Sequence, residues 1–240
     1  MNKILCIILS MTFMAFAFAC DNDSEEENDL SFNIDEEETD NEDNTSLTNE
    51  LIKLGWTTEE VDKANTAANL KSLGQTERNI VLYINLARLN GEKFWQTIGE
   101  KSAHGSDEYV SSLKATLATT KNLPMLIPDA NLIAAATAHA KDLRITNTFS
   151  HQSSDGTSFS DRIHKYYSGG NIGETISAGM ADALSIVMQL LVDDNSESLG
   201  HRKILLGSGY AAIGVKRVTH EQWRYVTVID FGSVVEKMAN

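Results

Sequence analysis

Cysteine, proline and long apolar runs are what this chain has least of. Two of its 240 residues are cysteine and two are proline. Cys6 lies inside an apolar N-terminal stretch and Cys20 ends it, so the region able to fold carries no cysteine pair. A disulfide framework is therefore excluded, and stability has to come from an apolar core, which a chain of this length can build. The apolar stretch itself, ILCIILSMTFMAFAF over residues 4–18, is shorter than the ~20 residues needed to cross hydrocarbon. Set between a basic start and the small-residue site AFAC (17–20), it reads as a secretory signal and not as a span. No basic stripe is present, which argues against nucleic acid as a partner. The HExxH and GxSxG signatures of common hydrolases are missing too.

What the chain does have is acid, unevenly placed. The net charge is −14. Residues 21–43, DNDSEEENDLSFNIDEEETDNED, hold 13 acidic residues and no basic one, whereas the chain beyond residue 43 carries 21 acidic and 19 basic residues. A stretch that repels itself and has little apolar surface to bury is expected to be an extended, solvated tether. Cleavage just before Cys20 resembles the bacterial lipoprotein signal, in which that cysteine receives lipid and becomes the mature N-terminus. The resemblance implies an exported protein, anchored at the bacterial cell envelope, with the membrane as partner through its N-terminal lipid. An acidic run after such a cysteine also resembles the surface-export signal of some Gram-negative lipoproteins, implying exposure on the outer membrane; the alternative is a plain spacer. The expected organisation is a lipoprotein signal peptide over 1–19, lipidated Cys20 and acidic tether over 20–45, and a helical extension over 46–73. A main domain over 74–235 and a tail over 236–240 complete it.

Beyond the tether the apolar spacing turns helical. TTEEVDKANTAANLKSL (57–73) opens with a threonine cap and early glutamates. TERNIVLYINLARLNG (76–91) puts Ile80, Ile84 and Ala87 on one face, with Thr76 as cap and Asn90-Gly91 as stop. SDEYVSSLKATLATT (106–120) repeats the pattern with Val110, Leu113 and Leu117. Pro128 and Asp129 start a helix whose face carries Leu132, Ala136, His139, Ala140 and Leu143. DALSIVMQLLVDD (182–194) is apolar almost all round from Ala183 to Val192, as suits a helix buried on several sides. The period then changes: AAIGVKRV (211–218) and WRYVTVIDFG (223–232), separated by THEQ, form an antiparallel hairpin. Helices followed by hairpin strands, without repeating βαβ units, indicate an α+β domain in which helices cover a small antiparallel sheet.

Candidate functional residues border these elements. His151 stands in NTFSHQSSDGTSFSDRI (147–163). Ser150, His151 and Asp155 make a Ser-His-Asp trio there, but such trios arise by chance in a serine-rich stretch, and triad members usually come from separate parts of a chain. Glu174 sits in the glycine-rich GGNIGETISAG (169–179), Asp193 and Asp194 end the buried helix, and His201 opens GHRKILL. Two imidazoles and two carboxylates are a set able to bind tetrahedral Zn²⁺ or to perform general acid–base work.

Five segments occur in order: YINLARLN (83–90), AAATAHAKDL (134–143), FSHQSSDGTSFSDRI (149–163), GETISAG (173–179) and LGHRKILLGSGYAAIGVKR (199–217). With them the chain resembles the CAP superfamily, also called the SCP or allergen V5-like domain. That group holds cysteine-rich secretory proteins, insect venom antigens and pathogenesis-related plant proteins. The similarity is to the disulfide-free bacterial branch and covers roughly residues 74–235. It implies a three-layer α-β-α sandwich with a central antiparallel sheet. It also implies one cleft lined by two histidines and two acidic residues. His151 matches the first histidine, Glu174 the glutamate of a GEN motif that here reads GET, and His201 the histidine of the GH motif. For the fourth position Asp194 is the best substitute by spacing, with Asp193 and Glu197 behind it. Leu191 stands where many members carry tryptophan. His139 reads as structural, while His104, His164 and His220 match no role.

Three functions are expected to compete, because one fold hosts many activities. The first is an extracellular binding module whose cleft (His151, Glu174, Asp194, His201) takes Zn²⁺, another divalent cation or a small ligand, or whose surface meets an extracellular protein. The second is a hydrolase of peptides or cell-envelope material with His151, Glu174 and His201 as catalytic groups. The third is a buried polar network with no ligand. Lipid or sterol binding, implied by eukaryotic relatives, needs an apolar groove that a sequence alone does not reveal.

Overall fold

Helix α7, Ala130–Thr146, sits where the apolar spacing predicts it. Asp129 caps it, accepting the N–H groups of Asn131 and Leu132 at 2.8 and 3.1 Å. Asn147 ends it in a left-handed conformation, φ 51°. Leu132, Ala136, His139, Ala140 and Leu143, the five residues expected on its inner face, are all fully buried.

The computed structural model describes residues 44–194 and 196–233. The signal peptide, Cys20, the acidic run to residue 43 and the tail lie outside the described residues. The helices are α1 (Asn44–Lys53), α2 (Thr58–Ala64), α3 (Gln75–Leu89), α4 (Gly91–Phe94), α5 (Glu100–Ser102), α6 (Asp107–Thr119), α7, α8 (Phe159–Ile163), α9 (Ala183–Val192) and α10 (Gly200–Leu205). A π-helical turn, Trp95–Gly99, joins α4 to α5. The strands are β1 (Ile127–Pro128), β2 (Ile172–Ala178), β3 (Ala212–His220) and β4 (Arg224–Gly232).

The four strands form one sheet in the order β1-β3-β4-β2. The expected hairpin is β3–β4, paired antiparallel from Ala212↔Gly232 to His220↔Arg224. β2 adds antiparallel to β4, and only the two-residue β1 runs parallel, beside β3. The sheet is therefore mixed, with an antiparallel centre. Alternation sorts the side chains into two layers. Val226, Val228 and Ile176 meet Ala136, Ala140 and Leu143 of α7. Ile213, Val215, Ile229 and Phe231 join the larger cluster with α3 and α9. The result is an α+β sandwich of helices on both faces of the sheet. Each fully buried Leu, Ile or Val contributes ~1.5–3 kcal/mol.

Three local outcomes differ from the sequence expectations. Helix α3 is capped at Gly74, not at Thr76, because Glu77 reaches back to accept the Gly74 N–H at 2.7 Å. The other oxygen of Glu77 accepts the N–H of Arg217 on the open part of β3 at 2.9 Å. The segment around Glu174, read as glycine-rich, is strand β2, buried along most of its length. The tether, expected to run to residue 45, overlaps α1, which starts at Asn44. The helical extension packs onto the domain: Leu51, Trp56, Val61 and Ala67 belong to the main core, and Lys93 sits 4.7 Å from the Trp56 ring centroid.

Two buried groups fix how the layers meet. A Cβ on Gly214 of β3 would stand 2.1 Å from Leu132 C and 2.3 Å from Ile133 N, so the α7 backbone rests directly on this glycine. Arg88 at the end of α3 is fully buried. Its guanidinium donates to the carbonyls of Pro124, Leu205, Gly207 and Tyr210 at 2.7–3.0 Å, and burial brings its pKa down to about 10.

Candidate functional site

The turn after α7 delivers the first histidine. His139, fully buried on α7, donates from Nε2 to the Ser150 carbonyl at 2.8 Å, which pins the chain one residue before His151. His151 Nδ1 lies 2.8 Å from Glu174 Oε1. A carboxylate only accepts, so the proton is on Nδ1. Arg162 of α8 donates to the His151 carbonyl at 2.9 Å and to Glu174 Oε2. The side chain of Glu174 is 1% exposed and that of His151 54%. One end of the pair is thus anchored in the core and the other open.

The second histidine is set the same way by another pair of elements. Helix α9 ends at Asp193 in a left-handed conformation, φ 54°. Its carboxylate accepts His201 Nδ1 at 2.7 Å and the His201 backbone N–H at 2.9 Å. Arg202, buried beside it, donates to the carbonyls of Leu191 and Val192 at 2.6 and 2.7 Å and locks α10 against the end of α9. Asp193 is 3% exposed and His201 34%.

Asp194, the expected fourth member, has a different place. Its carboxylate accepts the hydroxyl of Ser106 at 2.8 Å and the Ser106 N–H at 3.3 Å, at the start of α6. The left-handed turn at Asp193 swings consecutive side chains apart, so the residue beside His201 is Asp193. Glu197 lines a separate, smaller depression with Glu108. Leu191 is fully buried in the core.

His151, Asp193, Asp194 and His201 line one cavity of about 780 Å³. Much of its wall is apolar: Ile176 and Ala178 from β2, Leu184 and Met188 from α9, and Met180 before it. Phe149 and Trp223 stand at its rim, ring centroids 6.1 Å apart, 47% and 40% exposed. Volume and lining are those of small-molecule pockets.

The electrostatics are internally balanced. Burial alone would push Glu174 up, but the His151 hydrogen bond and the charge of Arg162 hold it below the ordinary carboxylate range. Burial holds His139 down and therefore neutral. Asp230 of β4, directly opposite Glu174 in the sheet, is fully buried and pushed well up, by burial first and then by Glu174.

This arrangement reassigns the acidic residues. Glu174 has both oxygens engaged by His151 and Arg162, and Asp193 is engaged by His201, so neither presents a vacant oxygen edge to the cavity. What remains is the Nε2 edge of His151 and of His201, each without a protein hydrogen-bond partner among the described residues. No group of three or more His, Cys, Asp or Glu side chains placed to hold a metal occurs among the described residues. The four expected residues are therefore not gathered into one ligand set among the described residues. Sequence reading missed Arg162 and Asp230. Arg162 lies inside the FSHQSSDGTSFSDRI motif, but its bond to Glu174 joins α8 to β2, a packing that spacing does not show; Asp230 lies inside an apolar strand pattern with nothing local to single it out.

A family model described as CAP, Cysteine-rich secretory protein family, matches residues 81–231. Among curated protein sequences none is similar enough to match. Among solved structures, an outer surface protein from Borrelia burgdorferi is 26% identical, with a TM-score of 0.42, over 55% of this chain and 99% of that one. An extracellular SCP-domain protein from Bacillus anthracis is 24% identical, with a TM-score of 0.39, over 59% of this chain and 43% of that one. A cysteine-rich secretory protein from Staphylococcus aureus is 14% identical, with a TM-score of 0.38, over 66% of this chain and 40% of that one. The chain thus spans less than half of the last two.

Proposed function

Because the chain belongs to the cysteine-rich secretory protein family, CAP, we propose that it is an exported binding module whose cavity takes a small amphipathic ligand. The observation that carries this reading is the pairing of two oriented, unpartnered imidazole edges with an apolar wall in one 780 Å³ space. The imidazoles suit a polar head, and Met180, Leu184, Met188 and the Phe149–Trp223 rim suit an apolar or ring-bearing body. Lipid or sterol binding, the least expected of the readings from sequence, becomes part of this one, because an apolar wall of the kind it needs lines the cavity. On this reading the module hangs from a lipid anchor at Cys20 and faces the exterior of the cell envelope.

The test uses Trp223. Trp56 and Trp95 are buried, so Trp223 is the exposed indole of the three. Titrating the protein with single-chain fatty acids, lysolipids and sterols should give a saturable change in tryptophan emission with at least one class. Trp223→Phe should abolish the change, and His151→Ala/His201→Ala should weaken binding at least tenfold, the scale of one charge-assisted hydrogen bond of ~1.5–3 kcal/mol. Binding of Zn²⁺ alone, with none of the amphiphiles, would replace this reading with the metal module.

A second reading is favoured by the same hydrogen bonds. An imidazole held by a buried carboxylate is a general base in waiting. Turnover of peptide or envelope substrates, lost in His151→Ala, would make the domain a hydrolase.

A further inference from the structure

Two carboxylates face each other across neighbouring strands of the sheet. Glu174 of β2 and Asp230 of β4 are direct cross-strand partners on the face covered by α7. Asp230 is 0% exposed and Glu174 5%. Neither oxygen of Asp230 meets a hydrogen-bond donor among the described residues. The polar group it meets is the Glu174 carboxylate. Two ionised carboxylates at direct cross-strand distance in a dry interior repel each other strongly, and such pairs keep one proton between them.

The surrounding charges determine where that proton sits. From α8, Arg162 supplies one buried positive charge, bonded to Glu174. From α7, His139 is neutral, with Nε2 spent on Ser150. His151, from the turn after α7, holds the other oxygen of Glu174. From β3, the residue opposite Asp230 is Gly214, which has no side chain; the next on that face, Lys216, is paired with Glu77 at 3.2 Å. One guanidinium balances one carboxylate, and Glu174 is the one it touches. Asp230 has no such partner.

We infer that Asp230 keeps the proton, donates its O–H to Glu174, and so acts as a positioning residue that aims Glu174 at His151. The row Asp230–Glu174–His151 then runs from the middle of the sheet to the cavity. Each member orients the next, and the Nε2 edge of His151 is its outer end. This arrangement does not depend on which ligand the cavity takes.

The first experiment needs no variant. Carboxyl ¹³C NMR of the protein labelled at Asp and Glu should show Asp230 protonated at neutral pH and Glu174 ionised. An ionised Asp230 at pH 7 would overturn the inference. The second experiment follows the imidazole ¹⁵N signals of His151, which report the tautomer. Asp230→Asn keeps a donor of the same shape, so the fold and the Nδ1–H tautomer should both survive. Asp230→Leu fills the space but removes the donor, and the Nδ1–H population of His151 should fall by at least a quarter while the domain stays folded. An unchanged tautomer in a folded Asp230→Leu protein would make Asp230 a filler and sink the positioning role. If Asp230→Leu does not fold, the ¹³C titration of wild type still decides.

Discussion

Asp193 ends α9 and takes the Nδ1 edge of His201 at 2.7 Å, while Asp194, one residue on, turns away to Ser106. The two neighbours therefore give different variants. Asp193→Ala removes a buried charged acceptor of two His201 N–H groups and should cost about 2–3 kcal/mol in denaturant unfolding. Asp193→Asn tolerates the left-handed turn and should cost less. Asp194→Ala should cost only about 0.5–2 kcal/mol, as loss of a helix-start acceptor does. The reverse ranking would return Asp194 to the His201 pair.

Glu174 governs the acid limb of stability. Its pKa is lowered from the ordinary 4.5, so its contribution is complete above that value and is lost as pH falls through the folded pKa. Glu174→Gln should flatten the fall in melting temperature below about pH 4.5. At pH 7 it should lower stability by about 3–5 kcal/mol, because Arg162 is left buried without its counter-charge. A melting temperature unchanged at pH 7 would show that the pair contributes nothing.

The raised Asp230 has the opposite sign. Its contribution is complete below the ordinary 3.8 and is lost as pH rises through its folded value. Asp230→Asn should therefore remove a decline in stability that starts near the ordinary 3.8 and runs up to the folded value. Thermal melts from pH 4 to 9 test this, and parallel profiles for wild type and variant would contradict it.

Gly214→Ala tests the seat of α7 on β3. The added methyl would collide with backbone at 2.1 Å, and backbone does not move aside as a side chain does. A loss of about 3 kcal/mol or more is expected, read as a lowered denaturation midpoint. A loss under 1 kcal/mol would mean the layers slide freely.

Cys20→Ser tests the anchor. Membrane fractionation should find the wild-type protein in the pellet and the variant soluble or unprocessed. Equal association and equal mass would dispose of lipidation.

Some of this was legible in the residues and some was not. The capped, alanine-faced α7, the apolar α9 and the β3–β4 hairpin follow from local spacing, which reports burial on one face. Strand β2 did not, because Gly173 lies against Tyr210, whose Oη would stand 2.9 Å from a Cβ at that position, a tertiary reason for glycine that reads locally as a loop. His151, Glu174 and His201 were found through ordered motifs. The choice between Asp193 and Asp194 was not open to spacing, since one φ near +54° decides it. Arg162 depends on how α8 packs against β2, and Asp230 on strand register, and no local pattern encodes either.

The carbonyl cradle of Arg88 has a consequence for the order of events during synthesis. Three of its four acceptors lie 117 to 122 residues downstream. Until they arrive, burying α3 strands a guanidinium without partners, at a cost of several kcal/mol. At ~5–20 residues per second, that wait is roughly 6–24 s of translation. The cradle of Arg88 is thus complete only once the turn after α10 has been made, which ties the burial of α3 to the C-terminal part of the chain.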